Sequence, residues 1–230
     1  MALIILGGGV AAASGSMGGT VFSRNRSGAY IRNRSIPLNP NSSQQQTIRN
    51  ALTSLVTAWI ESLTTPQRMA WDTYAANVPV TNRLGQQAFL TGQNWYIAAN
   101  TPRIQAGLAR VDAAPTVFNR GTFTPISATG DGSSQLITVT FTNTDAWASE
   151  GGSSLLVYGA RSQNFSAEFR KSSFRFAGKV DGNATTPPTS PVTIASPFTF
   201  VSGTRSFVRV SVTRADGRIS TPQETTIIVV

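Results

Sequence analysis

Two hydrophobic periods divide the chain, and its first segment follows neither. Between residues 42 and 76 the apolar positions Ile48, Leu52, Leu55, Val56, Trp59, Ile60 and Leu63 recur at the i, i+4, i+7, i+8 spacing of one helix face. Asn41, Ser42 and Ser43 are cap candidates, and Ser43 with Gln46 fits a capping box. Thr65 followed by Pro66 predicts a second helix start, with Met69, Trp71, Tyr74, Ala75 and Val78 on its apolar side, so that Leu63-Thr64-Thr65 joins a helical hairpin. Residues 77–90 are a turn-rich connection. A third helix is predicted from Thr91, ending before Pro102.

From about residue 116 the period switches to two. Residues 136–141, 154–158, 174–176, 192–194, 198–201, 207–212 and 225–229 alternate or run apolar between Gly, Pro, Asp and Ser, and Asp216-Gly217 carries a hairpin signal. Such short strands in roughly 115 residues match a two-sheet sandwich. The stretch FVRVSVTRADGRISTP, residues 207–222, resembles the last hairpin of a fibronectin type III domain, with Phe207 where that hairpin usually carries Tyr. The predicted fold is therefore α+β: an extended arm over 1–41, a helical region over 42–110 made of the hairpin and third helix, and an all-β Ig/fibronectin-III-like sandwich over 111–230.

Residues 1–41 are rich in Gly, Ser, Asn and Arg and show no helical period. Fully stretched they span at most ~130 Å. An arm of this composition buries too little apolar surface to offset the ~1–2 kcal/mol per residue of backbone ordering, so it is expected to be ordered by partners. The tetrapeptide Arg-Asn-Arg-Ser occurs twice within residues 22–35. If this stretch is one extended strand, Phe22, Arg24, Arg26, Tyr30, Arg32 and Arg34 share one face and small or polar residues the other. That ribbon suits an acidic groove on a protein; the same residues could clamp phosphates with Tyr30 stacked on a base, or form a solvated basic tail.

Charge sharpens this picture. The net charge is +9 and 17 of the 19 basic residues are Arg, the side chain that pairs bidentately with oxyanions. Residues 1–110 hold nine Arg against Glu61 and Asp72, so the basic surface belongs to the N-terminal half. His and Cys are both absent, which removes the usual zinc and transition-metal ligands, disulfides, thiol nucleophiles and His-dependent triads. The ten acidic residues are scattered, and no short window supplies a calcium or magnesium cluster. Neither catalytic residues, nor a metal, nor a cofactor is expected. The start MALIILGGGVAAASG imitates a secretion signal but lacks its basic n-region, and no stretch reaches the roughly 20 apolar residues of a membrane span.

Over SGSMGGTVFSRNRSGAYIRNRSIPLNPNSSQQQTIRNAL and LTTPQRMAWDTYAANVPVTNRLGQQAFLTGQNWYIAAN, about residues 14–110, the chain resembles a group of bacteriophage and prophage proteins. Shared features are a Gly-rich start, a basic Tyr-containing arm, a Pro-x-Asn-Pro turn, a Gln/Arg helix and an aromatic helix after Leu-Thr-x-x-Gln-Arg. The resemblance implies a non-enzymatic virion protein whose partners are other virion proteins, the major capsid protein or neck and tail proteins, together with further copies of itself. A capsid-stabilising, decorating role is the leading expectation, a neck or tail role the next, and nucleic-acid binding through the arm a third of another class. On this reading Arg49, Trp59, Arg68 and Trp71 dock the helices, although from the residues alone the Trp and Tyr side chains of this region are read first as helical core rather than as a ligand box.

Overall fold

A computed structural model describes residues 2, 3, 7–10, 12–25, 28–36, 38–81 and 86–230. The chain divides into two compact units, Met1–Ser42 and Ser43–Val230. Architecture is α+β: an N-terminal sheet, three helices in the first half of the chain, and antiparallel sheets in the second. Among the described residues no helix is long and apolar enough to cross a membrane.

The first unit is a four-stranded antiparallel sheet of β1 (Ala2–Leu3), β2 (Gly15–Met17), β3 (Thr20–Asn25) and β4 (Gly28–Asn33), in the order β1-β4-β3-β2. The ribbon expected over residues 22–36 is thus folded back on itself. Gly28, which opens β4 paired with Asn25 of β3, takes φ +118°, a conformation that glycine reaches without a Cβ clash. None of the described side chains of this unit is buried.

In the second unit α1 (Ser43–Glu61), α2 (Thr65–Asn77) and α3 (Gly92–Gln105) surround one aromatic core. Thr64 caps α2 with the reciprocal Thr64/Gln67 bonds of a capping box and Pro66 in the first turn; Thr91 caps α3 through Asn94 N–H. Both α1 and α2 make their main contacts with α3. The buried side of α1 is Ala51, Leu55 and Ala58, rotated from the stripe predicted by its larger residues; Ile48, Leu52 and Ile60 are exposed. Small alanines on α1 permit close approach to α3, and the bulkier residues remain on the flank. Helix α3 also runs through Pro102, which sits in its last turns, where the missing N–H leaves only the carbonyl of exposed Ala98 without its helical partner. A two-stranded ribbon, β5 (Val80–Thr81) with β6 (Gln87–Ala88), joins α2 to α3.

Seven strands follow: β7 (Ser127–Asp131), β8 (Leu136–Thr140), β9 (Ser154–Gly159), β10 (Arg175–Asp181), β11 (Val192–Ala195), β12 (Arg205–Thr213) and β13 (Gln223–Ile228). They form one sheet ordered β10-β9-β12-β13 and another ordered β11-β8-β7. Ile137 and Val139 of β8 share one hydrophobic cluster with Leu155, Val157, Val208, Val210 and Val212 of the larger sheet. The Asp216-Gly217 turn follows β12 as predicted, with Arg214 N–H bonded to the Arg218 carbonyl and Gly217 at φ +89°. Residues 198–201 are not a strand; Phe200 drops from a loop into the core, its backbone N–H held by Gln135.

Candidate partner-binding surfaces

The hairpin redistributes the arm residues. Register pairs Phe22 with Ile31 and Arg24 with Ala29, and on the opposite face Val21 with Arg32 and Ser23 with Tyr30. Each pair sums to 53, so an even position of β3 shares its face with an odd position of β4. Phe22 and Arg24 therefore lie on one face, Tyr30 and Arg32 on the other, instead of all four together. Arg34 lies just beyond β4 and its N–H bonds the Gly19 carbonyl at 2.8 Å. Arg26 lies outside the described residues. Arg24, Arg32 and Arg34 are exposed, and the sequence supplies no carboxylate before Glu61 to neutralise them.

On the helices the four expected docking residues separate. Trp71 is 0% exposed; its Nε1–H donates to the Asp112 carbonyl at 3.0 Å, and its ring meets Tyr74 and Tyr96 edge-on. It is a core residue and reaches no partner. Trp59 is half-buried against Tyr96, with ring centroids 5.5 Å apart. Arg68 is half-buried and Arg49 exposed. The helical surface instead presents Arg49 with Ile48, Leu52 and Ile60 on α1 and Met69 on α2.

One structural residue was invisible in the sequence. Arg103, in the last turn of α3, is 4% exposed, and its guanidinium donates to the carbonyls of Ala109, Gly152 and Arg214 and to the Thr213 hydroxyl. It ties the helices to the turns at one end of the larger sheet. Burial lowers its pKa, and the charges of Asp216 and Glu150 act against that shift. Glu150 is itself held by Arg214 Nε and Ala215 N–H.

Between α3 and the outer face of the larger sheet lies a cavity of about 330 Å³, lined in part by Trp95, Arg120, Tyr158 and Arg209. Its cations are committed: Arg120 donates to the Ile219 and Ser220 carbonyls, and Arg209 pairs with Glu224 at 2.5 Å. Burial pushes the Tyr158 hydroxyl up to about 12, with the Arg209 charge opposing, so at neutral pH it is a neutral donor. Among the described residues no group of three His, Cys, Asp or Glu is placed to hold a metal ion. The surfaces therefore offer binding by charge and apolar area. Comparison with known protein families, curated proteins and solved structures finds no significant match to this chain.

Proposed function

We propose that this chain is a non-enzymatic bacteriophage virion protein, a capsid-stabilising subunit whose N-terminal sheet clamps neighbouring subunits. The observation that carries the reading is the first unit itself: a single-layer sheet with no buried described side chain, four arginines and no acidic residue in its sequence. A sheet of this kind needs a second layer for its apolar residues and acidic groups for its cations. Neighbouring copies or another virion protein supply both, and Arg–carboxylate pairs closed off from water at such a contact hold more tightly than exposed ones.

The finer fold reading belongs with this role. Taken as A, B, C, C′, E, F and G, strands β7–β13 fall into sheets E-B-A and C′-C-F-G, an order that supports an Ig/fibronectin-III-like sandwich. Such a module would face outward while the arm clamps.

Deletion of residues 1–42 tests the proposal. The shortened protein is expected to stay folded by circular dichroism and to be missing from particles on co-sedimentation; normal incorporation overturns the clamp. Replacing Arg24, Arg32 and Arg34 by Ala should reduce incorporation without unfolding. A salt titration on DNA separates the nucleic-acid alternative, which requires affinity falling steeply with salt.

A further inference from the structure

The β region carries a second basic surface, built from arginine on phenylalanine. The guanidiniums of Arg161 and Arg175 lie 5.5 and 4.5 Å from the Phe198 ring centre, Arg205 lies 5.3 Å from Phe165, and Arg170 and Arg209 lie 4.3 and 4.2 Å from Phe174. Cation–π contacts of this quality occur about once per 70–80 residues, so five within one loop and its neighbours mark a concentrated site. Beside Phe198 opens a cavity of about 470 Å³ lined by Arg161, Ser162, Pro197, Phe198, Thr199 and Val201.

The site holds donors that nothing in the chain satisfies. Among the described residues Arg110, Arg170, Lys179, Arg209, Arg214 and Arg218 each have a carboxylate in ion-pair range, Arg170 and Arg209 sharing Glu224, whereas Arg161 and Arg175 have none. Ser162 Oγ and Arg205 Nε are buried without a hydrogen-bond partner, and Arg170 Nε has only the Glu224 carboxylate at 4.0 Å, beyond hydrogen-bond range; all three belong to this loop or the strand beside it. Glu168 is the one acidic residue between Arg161 and Phe176, against Arg161, Arg170, Lys171 and Arg175. The loop is also braced. Gln163 pairs through its backbone with Arg205, donates its side chain to the Ala167 and Phe169 carbonyls, and accepts from Lys171 N–H. A braced loop loses little entropy on binding.

We propose that this surface is a docking site for an acidic polypeptide segment, with an Asp or Glu carboxylate seated between Arg161 and Arg175 beside Phe198. Two planar guanidiniums match a carboxylate bidentately. Phe169, 83% exposed, with Phe165 and Val201 gives the apolar rim that protein hot spots place around arginine. A nucleic acid is disfavoured because the Phe198 and Phe174 rings are already engaged by arginines of their own chain and cannot serve freely as base-stacking platforms. An acidic glycan is disfavoured because the cavity offers its hydroxyls only Ser162 and Thr199 as neutral polar side chains.

The test is binding of labelled poly-L-glutamate to the full chain by fluorescence anisotropy, with polygalacturonate and single-stranded DNA in parallel. The double variant Arg161→Ala/Arg175→Ala is expected to lose about tenfold in affinity for poly-L-glutamate. The Arg161→Lys/Arg175→Lys variant, which keeps the charge and loses the fork, should lose several-fold. Arg110→Ala/Lys179→Ala, with the same change of net charge, should stay within about twofold. Thr199→Glu, which sets a carboxylate in the cavity and leaves both arginines in place, should weaken binding as the alanine pair does and carries the test if that pair fails to fold. Equal loss in the Arg110/Lys179 control, wild-type binding by the lysine pair, or tighter binding of polygalacturonate or DNA through the same two arginines overturns the assignment.

Discussion

Arg103 should be the most costly single side chain to remove outside the apolar cores. Its Nε donates to the Ala109 carbonyl at 3.0 Å, and its Nη1 to the Arg214 carbonyl at 2.8 Å and the Thr213 hydroxyl at 3.1 Å, with the Gly152 carbonyl at 3.3 Å. Arg103→Ala removes the donors to four acceptors, of which the Thr213 hydroxyl is buried and the Arg214 carbonyl half-buried while Ala109 and Gly152 are exposed, and each buried acceptor left unpaired costs about 1–3 kcal/mol. Water entering the vacated space re-solvates some of them, and the guanidinium no longer has to be desolvated, so we expect a net loss of about 3–4 kcal/mol. With a urea m-value of about 2 kcal/mol/M, the midpoint should fall by about 1.5–2 M. Arg103→Lys keeps the charge but reaches from one nitrogen, and should lose about 2 kcal/mol. The assay is equilibrium urea unfolding followed by tryptophan fluorescence. A loss below about 1 kcal/mol for Arg103→Ala would refute the reasoning, because these bonds would then contribute no more than exposed ones.

Three further outcomes follow from other parts of the second unit. A Cβ on Gly92, the first residue of α3, would collide with the Asp72 side chain and the α2 backbone, so Gly92→Ala should cost about 1–3 kcal/mol; an unchanged thermal midpoint refutes it. Asp131 accepts from the hydroxyls of Ser134 and Ser133 and from both their backbone N–H groups, which holds its carboxyl well below the usual range. A depressed pKa contributes stability above the unfolded value near pH 4 that is lost as pH falls toward the folded one. The stability gap between wild type and Asp131→Asn should therefore close below about pH 4, and a gap constant with pH counts against it. Burial pushes Tyr74 and Tyr158 up to about 12 and raises Tyr96 as well. The neutral rings stabilise the fold below the unfolded value near pH 10, and that contribution disappears as pH rises through the folded one; absorbance at 295 nm should show these three ionising late, and early ionisation of all tyrosines contradicts it.

Much of the local structure was legible. Thr65-Pro66 and Thr91 announced two helix starts because caps are built from residues a few positions apart, although the cap of α2 is Thr64, one position earlier than expected. Alternation located β8, β9, β11, β12 and β13, and Asp216-Gly217 located the turn after β12. Strand β7 went unseen since Ser-Ala-Thr-Gly-Asp has no apolar period; Gly130 lies there against Ile227 and Phe200, leaving no room for a side chain. Of the expected surface residues, Arg24, Arg32, Arg34 and Arg49 are exposed, whereas Trp71 is core and the arm's single ribbon is a hairpin. Nothing about Arg103 or about Arg161 and Arg175 meeting at Phe198 was readable, for their partners lie far along the chain.

By itself, then, the sequence determined the location of the three helices and of most strands of the second half, the α+β class, the absence of His and Cys and the basic character of the N-terminal half, since each depends on neighbours within a few residues or on composition. Only the tertiary structure decided which flank of α1 is covered, which arginines are buried, paired or left open, and which faces of the N-terminal sheet carry Tyr30 and Phe22. Those depend on register and on contacts between distant segments, where a shift of one position moves a side chain to the opposite face.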